Sequence, residues 1–380
     1  MIFLHNHKKY KFQRYPKTRN KSLRSWNAGD EYILRQLEDV KLDDKHLLSY
    51  HDRFGFFNCV LNDVNLTTVS VFKSQEKAIV KNLEINQLPT DNLNFINPFK
   101  KPGRKADLAL VKVPKSIHLF EFYLQHLSKH LKKNGKVFCG FMTRHFTKQL
   151  LEIAEEYFES VEQTKAWKKS RLLILKQPRP TPQKDLIRTI KLDNDKELQQ
   201  YPGVFSSNSI DPATQFLIDN LNLQVKDKTI LDLGCGNGVL THALSDIKSN
   251  GEYHLIDDFF LAVESAKMNL QGDNFHFHYN DDLKIFDNRQ FDYIVSNPPF
   301  HFEHENNIEV SLDLFHQSAR ILKNNAHFQI VANKHLNYLT HLEKYFTQVD
   351  ITAENEKYII YECWKIEQEE DPSEDQNFNI

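Results

Sequence analysis

Short apolar runs alternate with segments of helical character throughout the second half of the sequence. The apolar runs are residues 229–233, 253–257, 275–279, 291–296 and 327–332, and the helical segments between them are 239–247, 262–270 and 312–322. Short continuous apolar runs are typical of buried parallel strands, which must be joined by crossover segments. This order predicts an α/β domain with a doubly wound, mostly parallel sheet.

The first half of the sequence repeats this pattern weakly. Residues 106–115 align with 291–300, residues 131–135 align with 322–326, and an apolar run at Leu47 leads to Asp52 and Gly55 as Leu231 leads to Asp232 and Gly234. Separations of 185, 191 and 180 residues keep the order and the spacing. We predict an internal duplication with two tandem Rossmann-like domains, the first of which is degenerate. A chance similarity between two α/β domains is the alternative.

Prolines mark the predicted domain boundary. Residues 177–182 contain three prolines, which favour extended backbone and end helices, so this stretch predicts a linker. We therefore divide the chain into domains at 1–180 and 181–366. Residues 367–380 are acidic with almost no apolar side chains, and we expect them to form a disordered tail.

The net charge of −2 conceals two halves of opposite sign. Residues 1–180 contain 33 Lys and Arg against 18 Asp and Glu, a net charge of +15, whereas residues 181–380 contain 16 against 33, a net charge of −17. A basic half suits a polyanion, because each neutralised phosphate releases counterions. The sequence therefore predicts nucleic-acid binding by the first half, with mutual attraction between the halves as the alternative.

Composition also indicates the cellular compartment of the protein. The four cysteines are far apart and form no CxxC pair, which favours a reducing compartment and argues against structural zinc. Residues 1–24 are basic and lack the apolar core of a secretory signal, and no stretch is long enough to span a membrane. We expect a cytoplasmic monomer without a metal.

A glycine-rich loop follows the first predicted strand of the second domain. It contains Asp232, Gly234, Gly236, Asn237 and Gly238. Glycines allow a sharp turn and a close approach of the backbone to a ligand. Asp257 ends the next strand, where a carboxylate can accept hydrogen bonds from both ribose hydroxyls. This spacing predicts a nucleoside cofactor without a diphosphate.

Three further acidic or amide residues follow the second and third predicted strands, near that loop: Asp258, Asn280 and Asp281. Asn280 and Asp281 follow the third strand, where either side chain could accept a hydrogen bond from the adenine amine. That they are ordinary loop residues is an equally good interpretation. Asp258 is predicted to be a solvated turn residue.

Asn297, Pro298, Pro299 and Phe300 follow the fourth strand, at the edge where open α/β sheets place their sites. The Asn297 amide oxygen and the Pro298 carbonyl can both accept from one exocyclic amine, since the prolines prevent a helix from using that carbonyl. Phe300 can stack on the ring that carries the amine. The pattern predicts a catalytic site for transfer to a delocalised amine, and a simple turn after a strand is the alternative.

Two other clusters carry weaker signals. His301 and His304 with Glu303 and Glu305 suggest a metal, but a polar flank is the better interpretation because a third ligand group is missing. The strip 166–171 contains Trp167 among basic residues, which indicates either a phosphate contact or an amphipathic strand at the edge of the domain.

In these motifs the chain resembles the bacterial ribosomal RNA guanine-N2 methyltransferases of the RsmC/RlmG type. The resemblance rests on residues 26–32, 111–115, 166–172, 203–206, 232–239, 297–301 and 330–336. The strings in the first half favour the enzymes of the large subunit over those of the small subunit. Phe302 and Asp258 depart from the pattern, since a Gln and a Glu are usual there.

The resemblance implies tandem class I methyltransferase domains, with S-adenosylmethionine (AdoMet) as cofactor and a guanine N2 amine of 23S ribosomal RNA as acceptor. It also adds Phe205 to the implied cofactor site, and Asn297 would adjoin both sites. A 16S guanine-N2 methyltransferase is the nearest alternative. A non-catalytic RNA-binding assembly factor and an amino-methyltransferase acting on protein or DNA are the others.

Overall fold

The computed structural model describes residues 1–18, 20, 22–180, 184–192, 196–205, 209–221, 223, 226–245, 250–298, 301–302, 305–306 and 308–366. The acidic tail 367–380 therefore lies outside the described residues. Among those that are described, no helix is both long and apolar enough to cross a membrane.

The first half contains nine strands and five α-helices among its described residues. The strands are β1 (Ile2–His5), β2 (Lys8–Lys11), β3 (His46–Tyr50), β4 (Asn65–Val69), β5 (Asn94–Ile96), β6 (Ala106–Lys112), β7 (Leu131–Met142), β8 (Phe158–Gln163) and β9 (Ser170–Pro178). The helices are α1 (Ala28–Leu37), α2 (Phe56–Val60), α3 (Lys73–Ile85), α4 (Ile117–His130) and α5 (Lys148–Tyr157), and a 3₁₀ turn spans Thr143–His145.

The second half begins with a short hairpin and continues as an alternation of strands and helices. Its strands are β10 (Arg188–Lys191), β11 (Glu197–Gln200), β12 (Thr229–Leu233), β13 (Glu252–Asp257), β14 (Phe275–Tyr279), β15 (Phe291–Ser296), β16 (His301–Phe302), β17 (Glu305–Asn306), β18 (Leu322–Asn333), β19 (Gln348–Glu354) and β20 (Tyr358–Lys365). Its helices are α6 (Pro212–Asp219), α7 (Val239–Ser245), α8 (Phe260–Asn269), α9 (Ile308–Ile321) and α10 (Leu339–Leu342), with a 3₁₀ turn at Lys334–Leu336.

The two large sheets have the same strand order. The first runs β5-β4-β3-β6-β7-β9-β8 and the second runs β14-β13-β12-β15-β18-β20-β19. In each sheet the first five strands are parallel and the last two pair antiparallel at one edge. The predicted fold class, two tandem and mostly parallel α/β sheets, is confirmed.

Strand register corrects part of the alignment between the halves. Leu47 of β3 pairs with Leu108 as Ile230 of β12 pairs with Tyr293, so β3 and β12 are 183 residues apart rather than 180. With this offset, Asp52 of the first domain corresponds to Cys235 of the second domain and not to Asp232. The counterpart of Asp232, which lies inside its strand, is Ser49.

The predicted linker is wrong at its beginning. Gln177 and Pro178 belong to β9, and Pro178 pairs with Phe158 of β8 at the edge of the first sheet. Pro is tolerated there because Pro178 is the last residue of β9 and lies beyond the pairing with β7, which ends at Lys176. The chain then runs along the first domain, since Lys184 forms an ion pair of 2.7 Å with Glu121 of α4.

The cores of both sheets lie between the strands and the helices that cover them. One apolar cluster on the first sheet contains Leu48, Val111 and Tyr123, and it continues into Phe259 and Leu261 of the second domain. The apolar interior is therefore continuous across the domain boundary, and burial of this surface stabilises the pair of domains as well as each one.

The domains meet through equivalent loops. Phe72, which follows β4, and Phe259, which follows β13, form an isolated antiparallel bridge with ring centroids 4.7 Å apart. Lys73 N donates to Asp258 O at 2.9 Å, and Phe260 N donates to Val71 O at 2.8 Å. Leu66 of β4 and Tyr253 of β13 are equivalent, because they pair with the equivalent residues Leu47 and Ile230 of the neighbouring strands. Phe72 and Phe259 each follow six residues later, so they are counterparts. The contact is thus locally symmetric.

Candidate active site at the carboxyl edge of the second sheet

The glycine loop is bound to the neighbouring strand. Gly234, Gly236 and Gly238 have φ angles of 76°, 55° and 83°, in the left-handed region that favours glycine. Gly234 N and Cys235 N donate to Ile256 O at 2.9 and 3.1 Å, which fixes the loop on β13. A Cβ on Gly238 would lie 2.9 Å from Leu270, whereas a Cβ on Gly236 would meet no atom within 4 Å among the described residues. The backbone at Gly236 therefore borders open space.

Asp257 lies directly beside this loop. Its Oδ2 accepts from Gly236 N at 3.0 Å and its Oδ1 accepts from Phe259 N at 2.8 Å. Burial raises the pKa of Asp257 to about 6, although these backbone donors oppose the shift. At neutral pH the group is therefore mainly a carboxylate with acceptor capacity beyond the two backbone N–H groups.

Asp232 has a more internal position than the other predicted cofactor residues. It is buried within β12, and burial raises the pKa of its carboxyl group to about 7. Its Oδ2 accepts from Thr241 N and Thr241 Oγ1 of α7 at 3.2 and 2.8 Å, while its buried Oδ1 has no hydrogen-bond partner among the described residues. Asp232 thus connects β12 with the helix after the glycine loop.

Asn237 and Phe205 lie in different surroundings. Asn237 Nδ2 donates to Gln200 Oε1 at 3.0 Å, so its amide points toward β11. Phe205 is 67% exposed. Of the predicted cofactor residues, Gly236 and Asp257 are therefore in contact, whereas the Asn237 amide is bound to Gln200 and the Phe205 ring is exposed.

Asn280 and Asp281 differ in what they contact. Asn280 N donates to Asp257 O at 3.1 Å, which joins the third strand end to the second. Asp281 forms an ion pair of 2.5 Å with Lys77 of the first domain, and Lys77 Nζ also lies 3.2 Å from Asn280 Oδ1. Burial and a hydrogen bond to Asp281 also raise the pKa of Tyr15. Asp281 therefore faces the first domain.

Asp258 corrects the prediction of a solvated turn residue. Its carboxylate accepts from Ser74 N at 2.7 Å and from Ser74 Oγ at 2.6 Å, and it lies 3.7 Å from the Arg53 guanidinium. Ser74 is in the first turn of α3, where a carboxylate satisfies free N–H groups and the helix dipole. Asp258 is thus a contact between the domains.

The acceptor segment is joined to the glycine loop through adjacent strands. Ser296 Oγ, at the end of β15, donates to Leu233 O at the end of β12 over 2.7 Å. Asn297 is half-buried, and its Nδ2 donates to Asp211 Oδ2 at 3.1 Å and to Thr214 Oγ1 at 2.8 Å. Pro298 is buried, while Pro299 and Phe300 lie outside the described residues. Sequence reasoning missed Asp211 and Thr214, which are more than 80 residues before Asn297.

His304 and Glu303, two members of the possible metal cluster, also lie outside the described residues. Within the part of the chain that is described, no group of three or more His, Cys, Asp and Glu could hold a metal ion.

The matching edge of the first domain is filled by side chains. His51 and Gly55 keep the left-handed backbone of Gly234 and Gly238, with φ angles of 60° and 73°. Arg53 takes the place of Gly236, is buried, and lies 3.6 Å from the centroid of the Phe72 ring. A side chain thus occupies the region that corresponds to the open space at Gly236.

Comparison with known proteins agrees with this duplicated architecture. Residues 1–180 match the RLMG N-terminal domain family, and residues 195–362 match the methyltransferase small domain family. The chain is 28% identical to the ribosomal RNA large subunit methyltransferase G of Psychromonas ingrahamii, covering 93% of this chain and 96% of the relative. It also resembles the T. thermophilus 16S rRNA N2 G1207 methyltransferase (RsmC), solved with AdoMet and guanosine, with 18% identity and a TM-score of 0.77 over 96% of this chain and 97% of that one.

The fold, together with the match of residues 195–362 to the methyltransferase small domain family, supports a methyltransferase with tandem domains. More specifically, the chain is similar over nearly its whole length to a ribosomal RNA large subunit methyltransferase G, and the predicted resemblance is confirmed.

Proposed function

We propose that the chain transfers a methyl group from AdoMet to the exocyclic N2 amine of one guanine in 23S ribosomal RNA. The observation that carries the proposal is the orientation of Asn297 beside the glycine loop. Its Nδ2 donates to Asp211 and Thr214, which leaves Oδ1 as the atom of this amide that can accept an amine hydrogen from an acceptor base. The full-length relative supports the large subunit RNA as the substrate.

The residues present fit AdoMet. The backbone at Gly236 borders open space, and Asp257 adjoins it with acceptor capacity for ribose hydroxyls. Asn280 is the better candidate for the adenine edge, because its backbone N–H is bonded to Asp257 O, whereas the Asp281 carboxylate faces the first domain. AdoMet would supply an electrophilic methyl group on a cationic sulfur.

The role proposed for Asn297 and Pro298 follows from the electronic structure of the acceptor. The lone pair of an exocyclic guanine amine is delocalised into the ring, so the amine is a weak nucleophile. Two acceptors, Asn297 Oδ1 and Pro298 O, would hold its two hydrogens and favour a tetrahedral nitrogen. Catalysis then depends on orientation and on a preorganised polar site rather than on a strong base. The target base must be unpaired or flipped out to enter.

The test is the methylation state of ribosomal RNA in a strain that lacks the gene. Mass spectrometry of 23S and 16S fragments should show one N2-methylguanine lost from 23S RNA and restored by the wild-type chain. Loss from 16S RNA would reassign the substrate to the small subunit. Unchanged methylation of both RNAs would contradict the proposal and favour a non-catalytic assembly factor.

We also propose that the first domain, residues 1–180, binds RNA and not AdoMet. Its net charge of +15 and the buried Arg53 in place of Gly236 support this division of labour. In the strip 166–171, Trp167 packs on Tyr32 with ring centroids 5.4 Å apart, and Lys168 pairs with Glu31. Lys169 is exposed beside them at the turn between β8 and β9.

The contribution of Lys169 can be measured in the intact chain. Affinity for ribosomal RNA should fall steeply with salt, and Lys169→Gln should reduce the slope of log K against log salt by roughly 0.7–0.9, the value for one phosphate contact. Lys344→Gln, at an exposed lysine of the second domain, is the matched control. An equal slope for wild type and Lys169→Gln would remove this turn from the RNA-binding surface.

A further inference from the structure

The side chain of Asn297 is held by helix α6, an element outside the motif to which Asn297 belongs. Both contacts involve Nδ2: 3.1 Å to Asp211 Oδ2 and 2.8 Å to Thr214 Oγ1. A carboxylate can only accept, so the amide nitrogen, not the amide oxygen, must face Asp211. With both amide hydrogens used in this way, Oδ1 points away from α6.

The opposite orientation of the amide is unfavourable. Turning the Asn297 amide by 180° would place its oxygen against the Asp211 carboxylate and would break the hydrogen bond to Asp211, although the Thr214 hydroxyl could then donate instead of accept. A charge-assisted hydrogen bond is stronger than a neutral one, and an unpaired acceptor in a half-buried site is costly. The contact with Asp211 therefore selects one of the two possible amide orientations before any substrate binds, and the contact with Thr214 adds a second hydrogen bond in that orientation.

Asp211 is itself fixed by the start of α6. Its Oδ2 also accepts from Ala213 N and Thr214 N at 3.0 and 3.1 Å, as expected of an N-cap residue, and Pro212 follows at the first helical position. Along α6, Ala213 and Leu217 are buried against residues of β18 and β20. The carboxylate that holds Asn297 is thus anchored to the sheet through a short, capped helix.

We propose that Asp211 and Thr214 are positioning residues for methyl transfer, which act by presenting Asn297 Oδ1 to the acceptor amine. This rests on the proposed function, because it needs Asn297 to bind that amine. Donation of Nδ2 hydrogens to a carboxylate also polarises the amide and makes Oδ1 a better acceptor. Asp211 thereby both starts a helix and orients a group that contacts the substrate.

Thr214→Val tests the inference with little change in shape. We expect the single-turnover rate of methyl transfer to fall about tenfold, which corresponds to the loss of one hydrogen bond that orients the reacting group. The dissociation constants for AdoMet and RNA should stay within about twofold of wild type, since neither ligand is expected to touch Thr214. Thr214→Ser keeps the hydroxyl and should restore the rate.

Asp211→Asn provides a second variant if the valine substitution lowers the stability of α6. An asparagine can still cap the helix and accept through its oxygen, but it removes the charge. We expect a smaller loss of rate, again without a change in either dissociation constant. Thr347→Val, whose hydroxyl donates to Trp364 O away from the site, controls for a threonine substitution elsewhere in the domain.

The outcomes separate this inference from the proposed function. Normal single-turnover rates for Thr214→Val and Asp211→Asn, together with an inactive Asn297→Ala, would overturn the positioning role and leave the proposed function intact. An active Asn297→Ala would contradict the proposed site itself. A rate loss in Thr214→Val that Thr214→Ser does not restore would assign the effect to packing and would also overturn the inference.

Discussion

Asn297→Ala should lower the rate of methyl transfer by roughly 10²–10³-fold, the range seen when one preorganised polar group is removed from a transition state. The substitution removes the Oδ1 acceptor and frees Asp211 and Thr214. AdoMet affinity should stay within a few-fold of wild type, since the proposed cofactor contacts are made by Gly236, Asp257 and Asn280. Single-turnover kinetics and calorimetry with AdoMet measure the two effects separately.

Two further variants sharpen this prediction. Asn297→Asp keeps an acceptor oxygen but replaces the amide nitrogen with a second oxygen, which would place a carboxylate beside Asp211, and we expect it to be as inactive as the alanine variant. Asn274→Ala removes an amide that donates to Gly251 O at the opposite edge of the sheet, and it should retain activity. Loss of AdoMet binding in a folded Asn297→Ala protein would mean that Asn297 serves the cofactor rather than the acceptor.

The central strands that position the site, β12 and β15, could be predicted because most of their residues are buried. β12, β14 and β15 have the predicted bounds, as expected when a continuous apolar run is the signal. The prediction missed β19, whose residues are mostly exposed, and β20, which covers the edge of β18. β19 lies at the edge of the sheet and carries a mixed pattern, so hydrophobicity alone does not mark it.

Sequence alone could not give the partners of the site residues. The motif predicted that Asn297 would follow β15, but the contact with Asp211 depends on how α6 packs against the sheet. The same holds for Asp258 and Asp281, whose partners Ser74 and Lys77 lie in the other domain. Nothing in the local composition around these carboxylates distinguishes an interdomain contact from a solvated turn.

Backbone conformation explains the error in aligning the halves. The sequence alignment placed Gly55 against Gly234, because glycine is the usual residue with positive φ. In the first domain His51 adopts that conformation with φ of 60°, and Gly55 keeps the place of Gly238 before the following helix. A non-glycine residue in the left-handed region is uncommon, and pattern matching does not expect it.

Asp257→Ala should raise the dissociation constant for AdoMet roughly ten- to a hundredfold, through loss of hydrogen bonds to a charged acceptor. The same change also frees Gly236 N and Phe259 N, so part of the effect will come from the glycine loop. Asp257→Asn keeps one acceptor oxygen and should have a smaller effect. Asp258→Ala is the matched control, since that carboxylate faces Ser74 and Arg53 of the first domain.

The pH dependence of AdoMet binding gives an independent measure of the same group. Because burial raises the pKa of Asp257 to about 6, the free protein gains a proton there as the pH falls through 6. Ribose hydroxyls that donate to the carboxylate favour its ionised form, so AdoMet binding should weaken below pH 6 and level off above pH 7. Asp257→Asn should abolish this dependence, and Asp258→Ala should retain it. An AdoMet affinity that is constant from pH 5 to 8 in the wild-type chain would remove Asp257 from the cofactor site.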